Sequence, residues 1–308
     1  MEYYQDVEIS KLSWISRGGT AVNYYIPDNC DELKELLQTL IYKHEEYLVV
    51  GLTSNLYFKN TYCIKNLIST KKVNHWVDNG EVICCECGTK TGLFSKNMVD
   101  IGVVGFEGLV DLPGTIGGAI YGNSGCYGCL ISDYLLAVEM VDANGEVKVV
   151  KSQDLHFSHR SSGLKRGAIK GTILKAFFKK EYGDSILLKQ KALQYHLSRL
   201  ASQPGPKNNL GSTFCEFGKT TLFGWFVIMV SRCYAFAIRS IHKTAHQVEK
   251  KRILIILSLA GGRELFPYLH TLNRFIWIDE NADKMFIKYN RMIHRLYKKP
   301  RLEIEIKE

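Results

Sequence analysis

A glycine-rich segment near the middle of the chain, residues 113–128, constrains the fold most strongly. It reads PGTIGGAIYGNSGCYG and holds six of the chain's 26 glycines. Glycine permits positive φ and a close approach of the backbone to a ligand, so that amide N–H groups can bind phosphate oxygens. The segment therefore predicts either a phosphate-binding loop or a purely structural turn.

The same segment matches neither of the two common nucleotide-binding glycine motifs. No Gly-Lys-Ser/Thr follows, which excludes a P-loop, and the glycine spacing differs from that of the Rossmann fingerprint. If the segment binds a nucleotide, it does so within another fold.

The N-terminal region has the pattern of a small α/β ligand-binding unit. Residues 21–26 and 47–50 are predicted strands, and residues 31–42 repeat leucine and isoleucine with helical spacing between them. The turn-rich residues 51–55 follow the second strand. We expect this unit to extend over residues 1–72.

The next region, residues 73–182, reads as α+β with a mostly antiparallel sheet. Asp142-Ala143-Asn144-Gly145 is a hairpin signal between two of its strands. A third region, residues 195–308, follows a polar segment and a predicted connection at residues 203–206. Four strands are predicted in the second region: residues 81–85, 137–141, 146–150 and 172–178.

Charge is unevenly distributed along the chain. Residues 191–308 carry 20 basic and nine acidic side chains, whereas residues 1–190 carry 20 and 22. A basic end predicts an anionic partner, which could be nucleic acid, a membrane surface or a phosphorylated small molecule. The basic runs 250–252 and 291–301 are interpreted as solvated faces or as a rim that attracts a diphosphate. No nucleic-acid partner is expected.

Cysteine usage and the first residues favour a cytoplasmic protein. Nine cysteines without framework spacing do not suit a disulfide scaffold, and the N-terminus lacks the basic start and apolar run of a signal peptide. Residues 222–238 are apolar but are interrupted by Ser231-Arg232, and a bilayer span needs roughly 20 residues. We therefore expect a buried helix there, rather than a membrane contact, and no membrane span.

No metal site is predicted, although two cysteine groups have CxxC-like spacing. Cys84 and Cys85 would point to opposite faces of one strand, and buried thiols are the usual state of such residues. Four histidines in the C-terminal region are interpreted as surface or core residues: His242, His246, His270 and His294.

The glycine-rich segment resembles the PGT-x-GGA…NAGA-YG signature of the MurB family, the UDP-N-acetylenolpyruvoylglucosamine reductases. Other motifs appear in family order, and the similarity extends from about residue 13 to residue 214 and returns in the last 35 residues. The motifs are GG-x-A at 18–21, GGGSNLL at 51–56, GLE-x-L at 105–109, FGYR-x-S at 157–162, GS-x-F at 211–214 and LE-x-E-V at 302–306.

This resemblance implies a flavoenzyme with the vanillyl-alcohol-oxidase-like (PCMH-type) fold. Its two-lobed α/β plus α+β FAD-binding region would comprise subdomains 1–72 and 73–182, followed by an α+β substrate lobe, 195–308. FAD would be reduced by NADPH and would reduce the enolpyruvyl group of a UDP-sugar in peptidoglycan and cell-wall synthesis. The implied cofactor-binding residues are Gly51, Thr53, Ser54, Asn55, Pro113, Gly114, Thr115, Gly117, Gly118, Asn123, Gly125, Tyr127 and Gly128.

The resemblance also implies three catalytic residues. Arg160 matches the arginine beside the substrate carboxylate, Ser212 the proton donor to the carbanionic carbon, and Glu305 the carboxylate of the acid–base site. By residue type alone, Arg160 would be a surface residue in an ion pair, Ser212 a turn residue and Glu305 a solvent-exposed charge near the C-terminus. The apolar–acidic alternation of residues 302–306 predicts a docked strand with Glu303 and Glu305 on one face.

Several departures from the family pattern leave the substrate open. Cys215-Glu216-Phe217 replaces Lys-Asn-Pro, His159 replaces a tyrosine, and residues 217–275 show no convincing match. Two alternatives therefore stand beside the UDP-sugar reductase. One is a paralogous FAD oxidoreductase that acts on another anionic sugar, and the other is a non-enzymatic relative that binds FAD or a nucleotide.

Overall fold

The computed structural model describes residues 1–205, 208–239 and 244–308, so Pro206 of the predicted connection and His242 lie outside the described residues. Its α-helices are α1 Cys30–Tyr42, α2 Thr91–Asp100, α3 Ile116–Gly122, α4 Ser185–Ser202, α5 Leu222–Ile238, α6 Ala245–Ala260 and α7 Ala282–Leu296. Its strands are β1 Glu2–Glu8, β2 Thr20–Ile26, β3 Tyr47–Val50, β4 Leu56–Phe58, β5 Cys63–Ser69, β6 Trp76–Asn79, β7 Val82–Glu86, β8 Gly125–Cys126, β9 Cys129–Leu130, β10 Leu135–Asp142, β11 Val147–Lys151, β12 Gly171–Lys179, β13 Phe214–Glu216, β14 Lys219–Thr220, β15 Leu269–Thr271, β16 Arg274–Phe275, β17 Tyr297–Lys298, β18 Arg301–Leu302 and β19 Glu305–Lys307.

The chain forms two compact units, each made of separate stretches of sequence. The first unit contains Met1–Ile9, Gly19–Thr53 and Asn60–Gly205. The second contains Ser10–Gly18, Ser54–Lys59 and Pro206–Glu308. The division into regions 1–72, 73–182 and 195–308 stays a prediction.

A four-stranded mixed sheet opens the first unit, with strand order β1-β2-β5-β3. The strands β2, β5 and β3 run parallel, and β1 pairs with β2 in antiparallel orientation. The helix α1 begins at Asn29, whose side chain accepts a hydrogen bond from the Glu32 N–H. Its leucine face is buried, as the helical spacing predicts: Leu33, Leu36, Leu37 and Leu40.

The second sheet of this unit has five strands in the order β11-β10-β12-β7-β6 and is antiparallel throughout. The predicted hairpin is present, because the Gly145 N–H donates to the Asp142 carbonyl at 3.1 Å. Gln38 of α1 donates to the Gly145 carbonyl at 2.8 Å. The four strands predicted in this region and the antiparallel pairing are therefore confirmed.

The core of the first unit is aliphatic around α1 and aromatic between α2 and the second sheet. The Phe94 ring lies 5.5 Å from the rings of both Phe106 and Phe178, measured between centroids. All three side chains are fully buried. Burying an apolar side chain of this size stabilises the fold by about 1.5–3 kcal/mol.

The polar segment predicted between Tyr182 and the connection at residues 203–206 contains the 18-residue helix α4. Asp184 caps the N-terminus of this helix, since its side chain accepts hydrogen bonds from the Ile186 and Leu187 N–H groups. Only Leu188 and Ala192 of this helix are buried. Other apolar residues of this segment also follow helical spacing, although they are exposed, so the interpretation of the segment as a polar stretch missed a helix: Ile186, Leu193, Leu197 and Leu200.

The second unit packs three helices and several short strand pairs around its own core. The helix α7 is strongly amphipathic and buries Phe286, Tyr289 and Ile293. The strand pair β15–β16 places Phe275 against α7, with 5.2 Å between the ring centroids of Phe275 and Phe286. The strand β13 pairs with β18, and β14 pairs with β17.

The helix α5 corresponds to the apolar segment 222–238, but the predicted burial of this helix is wrong. Its solvent-accessible fraction is 93% at Leu222, 59% at Trp225 and 82% at Phe236. Hydropathy predicts that a helix has apolar surface, but not that another element covers it. No helix in the described residues is long and apolar enough to cross a membrane.

Candidate active site

The glycine-rich segment turns into the short helix α3 in the first unit. Thr115 precedes this helix, and its side chain accepts a hydrogen bond from the Gly118 N–H. The N–H groups of Ile116 and Gly117 donate to the carbonyls of Thr89 and Cys87 at 2.9 and 2.8 Å. The segment is therefore fixed to the loop that follows β7.

Gly51 lies directly against this segment. A Cβ added at Gly51 would lie 2.3 Å from Oγ1 of Thr115, well inside van der Waals contact, so only glycine fits. Thr53 follows with a left-handed φ of 54° and is buried. The structure thus brings together two of the sequence motifs that were predicted to bind the cofactor.

The glycine-rich segment has the properties of a cradle for an anionic ligand. A Cβ at Gly118 would find its nearest neighbouring atom 3.6 Å away, and at Gly128 it would meet nothing within 4 Å. The Oδ1 atom of Asn123 is buried and has no hydrogen-bond partner among the described residues. Residues 113–128 contain no carboxylate, which suits a phosphate group.

Arg160 occupies a tight turn that is bound to the same segment. Ser158 and Ser161 exchange backbone hydrogen bonds across the turn, and Arg160 has a left-handed φ of 55°. Asn123 Nδ2 donates to the Ser158 carbonyl at 3.0 Å, and Ser162 Oγ donates to the Tyr121 carbonyl at 2.7 Å. In the first unit, the turn that holds the predicted arginine therefore lies beside the predicted cofactor loop.

Two guanidinium groups lie near Cys126 in this segment. Burial raises the pKa of the Cys126 thiol, and the guanidinium groups of Arg199 and Arg160 oppose that shift. The Tyr127 ring stacks on the Tyr195 ring at 4.6 Å, almost in parallel. The helix α4, which was not predicted, therefore contributes both a cation and an aromatic ring to the surroundings of the glycine segment.

Ser212 lies in the second unit, immediately before β13. The adjacent Thr213 donates its N–H to the Asn273 carbonyl and accepts at its own carbonyl from the Glu303 N–H, both at 2.9 Å. The side chain of Asn273 accepts from the Phe214 N–H at 2.8 Å and donates to the Phe214 carbonyl at 2.7 Å. These bonds fix the backbone on which Ser212 stands.

Glu305 is bound to the same cluster through the backbone. Its N–H donates to the Asn55 carbonyl at 2.9 Å, and Asn55 Nδ2 donates to the Glu303 carbonyl at 3.0 Å. The second unit thus connects Asn55, Ser212 and Glu305 through the C-terminal segment.

The predicted continuous strand 302–306 is wrong, because a bend at Glu303 and Ile304 separates β18 from β19. The predicted docking of the C-terminus is confirmed, since β19 pairs with β4.

The loop motif 51–55 is divided between the units. Gly51 and Thr53 belong to the first unit, whereas Ser54 and Asn55 belong to the second. The spacing of a sequence motif gives no signal for such a division.

A cavity that the sequence analysis did not predict lies within the second unit. Its volume is about 330 Å³, and Trp225, Tyr297, Arg232 and Arg252 are among its lining residues. Burial raises the pKa of Tyr297, and the guanidinium groups of Arg252 and Arg232 oppose that shift. Glu249 lies 3.2 Å from Nε of Arg252 but is poorly aligned for a hydrogen bond.

The cysteines are free thiols, and no cluster of three or more metal-ligating side chains occurs in the part of the chain that the structure describes. Burial raises the pKa of Cys85 and of Cys87 to about 12. Both thiols are therefore protonated near neutral pH and are poor metal ligands.

Comparison with known proteins gives a consistent picture. Residues 23–151 match the family model of the FAD binding domain. The UDP-N-acetylenolpyruvoylglucosamine reductase of Caldicellulosiruptor bescii is 30% identical over 216 residues, which cover 70% of this chain and 68% of that protein. The reductase of Rickettsia conorii is 30% identical over 224 residues, which cover 70% of this chain and 72% of the relative.

A solved structure extends the similarity to the whole chain. The crystal structure of UDP-N-acetylenolpyruvylglucosamine reductase (MurB) from Thermus caldophilus has a TM-score of 0.69 and 19% sequence identity. The superposition covers 100% of this chain and 98% of the Thermus caldophilus protein. The two proteins therefore share a fold, including the C-terminal lobe in which the sequence motifs fade.

Proposed function

The chain belongs to the UDP-N-acetylenolpyruvoylglucosamine reductase (MurB) family, and from this premise we propose that it uses NADPH to reduce the enolpyruvyl group of a UDP-sugar. The predicted fold, a PCMH-type FAD-binding region of two lobes followed by a C-terminal lobe, is confirmed. The chain is accordingly an FAD-dependent oxidoreductase.

The residues of the first unit fit FAD. The space beside Gly118 and Gly128 is open, and the buried Oδ1 of Asn123 has no hydrogen-bond partner among the described residues. Together with the absence of carboxylates in residues 113–128, these features suit a diphosphate-bearing cofactor. Bound FAD supplies the hydride chemistry between the nicotinamide and the substrate double bond. We assign its binding to the residues named from the sequence: Gly51, Thr53, Ser54, Asn55, Pro113, Gly114, Thr115, Gly117, Gly118, Asn123, Gly125, Tyr127 and Gly128.

Three side chains of this chain would bind the substrate and move the proton. Arg160 presents a planar guanidinium, which pairs with the substrate carboxylate through two hydrogen bonds and stabilises the negative charge that develops there. Ser212 donates the proton to the carbanionic carbon, and Glu305 acts with it in the acid–base site. The observation that carries this proposal is that the second unit holds Ser212 and Glu305 on one hydrogen-bonded cluster.

The second unit also supports an anionic substrate that is bound differently from the usual one. Two arginines and two aromatic rings line its cavity, and none of the lining residues that the structure describes is a carboxylate. Glu216 stands where the family motif has asparagine, and it is exposed on β13. A paralogous oxidoreductase that acts on another anionic sugar is therefore the second candidate.

Anaerobic half-reactions test the proposal. The FAD-loaded protein should be reduced by NADPH and then reoxidised by UDP-N-acetylenolpyruvoylglucosamine, followed by a screen of other enolpyruvyl and UDP-sugars. The Ser212→Ala variant should keep the first half-reaction and slow the second on the order of 10²-fold or more, as expected for a positioned acid.

The Ser258→Ala variant in the same unit is the matched control, since Ser258 is exposed on α6. Equal slowing of both half-reactions by Ser212→Ala would contradict the role as proton donor. Reoxidation by another sugar alone would favour the paralogous enzyme.

A further inference from the structure

The outer face of α5 exposes an unusual amount of apolar surface. Seven large apolar side chains of this 17-residue helix are exposed to solvent: Leu222, Phe223, Trp225, Phe226, Met229, Tyr234 and Phe236. Single exposed apolar residues are normal, but a continuous group of this kind marks a surface that binds something.

The exposed residues form one stripe along the helix. Five of them are separated by three, one, three and seven residues, which places them on the same side of an α-helix: Leu222, Trp225, Phe226, Met229 and Phe236. Five aligned side chains, two of them phenylalanine and one tryptophan, therefore cover a helix about 25 Å long.

The opposite side of α5 is docked within the second unit. Gly224, Val227, Ser231 and Ile238 are its buried residues. A Cβ added at Gly224 would lie 1.9 Å from the Leu296 carbonyl oxygen, so the start of α5 lies directly on the end of α7. The outer stripe is thus held in a fixed orientation by the other face of the same helix.

The segment that carries this stripe has charges of one sign. Residues 217–248 contain no aspartate or glutamate, but they contain four lysines and arginines. Arg232 and Arg239 lie on α5 or at its end and are exposed, and Lys219 pairs across β14–β17 with Lys298. An apolar stripe flanked by cations is the pattern of helices that lie in the headgroup layer of a bilayer.

We propose that the outer face of α5 binds the surface of an anionic lipid bilayer, with the helix lying parallel to the membrane plane. The stripe enters the boundary between headgroups and acyl chains, and Arg239 at the end of α5 binds a lipid phosphate. A second copy of the chain is a poorer partner. Pairing this face with itself would bring like charges together, because the segment has no carboxylate to oppose them.

Vesicle flotation with the FAD-loaded full chain tests this proposal. The protein should float with vesicles that contain phosphatidylglycerol, and much less with vesicles of phosphatidylcholine alone. Binding should weaken as salt rises from about 0.05 to about 0.5 M, because surface charges are screened within about 10 Å at 0.1 M. Brominated lipid should quench part of the tryptophan fluorescence, because the stripe contains the exposed Trp225.

Two variants locate the contact. The double variant Phe226→Ser/Met229→Ser should lower the partition coefficient by more than about tenfold, since each apolar side chain removed from water contributes roughly that factor. Arg239→Gln should lower binding only at low salt. The matched control is Tyr42→Ser/Val149→Ser, which removes two exposed apolar side chains of the first unit. Circular dichroism and flavin absorbance check that each variant folds.

Three outcomes would overturn the proposal. They are failure to float with either vesicle, equal binding by the double variant and the control, and a concentration-dependent dimer that the double variant dissociates. The last result would assign the face to a second copy of the chain. The Arg239→Gln variant and the salt series decide the question even if the double variant does not fold.

Discussion

Four residues of the sequence motifs hold left-handed backbone conformations although none of them is glycine. Thr53, Asn123, Tyr127 and Arg160 have φ values between 45° and 55°. Asparagine adopts this conformation readily, but for the other three it costs about 1–3 kcal/mol each, which the surrounding structure must supply. Strain of this kind is concentrated at binding and active sites.

Gly118 allows the cofactor proposal to be separated from effects on folding. The space beside it is open, so Gly118→Ala should leave the apoprotein as stable or stabilise it by up to about 1 kcal/mol. Gly118→Asp adds bulk and a charge that repels phosphate, and it should abolish FAD retention. The flavin-to-protein absorbance ratio and urea unfolding measure the two effects. An aspartate variant that still retains FAD would contradict the placement of the diphosphate.

Glu305 and Glu303 form a matched pair for the acid–base assignment. Glu303 takes part in the cluster through its backbone N–H and carbonyl, which a side-chain change leaves in place. Glu305→Gln should keep the fold and FAD but depress substrate reduction by about 10²-fold, whereas Glu303→Gln should have little effect. Stopped-flow reoxidation measures both variants. Equal effects of the two substitutions would remove Glu305 from the mechanism.

At the scale of elements, Asn273 connects the β15–β16 turn with the strand that follows Ser212. Asn273→Ala would leave the Phe214 N–H and carbonyl without their partners in a buried position. We expect the free energy of unfolding to fall by about 1–3 kcal/mol. Reoxidation should slow more than flavin reduction, because Ser212 loses its support.

Urea unfolding and the two half-reactions measure these effects. Asn144→Ala, in the exposed hairpin of the first unit, is the control for a loop asparagine. A loss of stability with both half-reactions unchanged would make Asn273 structural only.

The elements that were predicted and those that were missed differ in how much of their surface is buried. In α1, apolar residues recur with helical spacing, and in the central strands β10 and β12 buried and more exposed residues largely alternate. The sequence therefore predicts these three elements. The helix α4 buries only two residues, and most of its apolar residues, although they follow helical spacing, are exposed. The edge strand β1 is largely exposed and reads as a polar N-terminus.

The helix α5 was predicted from the sequence, but its burial was not. Its apolar content predicts a helix correctly, but the sequence contains no information about which neighbour covers each face. The structure gives it one buried face, defined by Gly224 and Val227, and leaves the apolar stripe around Trp225 and Phe236 exposed. Burial is a tertiary property, and hydropathy alone assigned this helix to the core.

At the scale of the molecule, motif order predicted the family, whereas the sequence could not predict how the motifs are distributed in space. The C-terminal segment and Asn55 are 248 residues apart at their hydrogen bond. Gly51 and Asn55 are four residues apart but belong to different units. Contacts over such separations depend on the topology of the chain, which local patterns do not encode.

The uneven charge of the whole chain predicts how substrate binding responds to salt. Residues 191–308 carry 11 more basic than acidic side chains, and Arg232 and Arg252 line the cavity of the second unit. If these charges bind an anionic sugar nucleotide, its KM should rise about threefold or more between about 0.05 and 0.5 M salt, because screening shortens the range of the attraction.

The double variant Arg232→Gln/Arg252→Gln should raise the KM for the sugar nucleotide at low salt and reduce its dependence on salt, with the KM for NADPH unchanged. Lys148→Gln, on the first unit, is the control. Tight binding of UDP-N-acetylenolpyruvoylglucosamine that salt does not weaken would show that the lobe binds the usual substrate without help from these arginines.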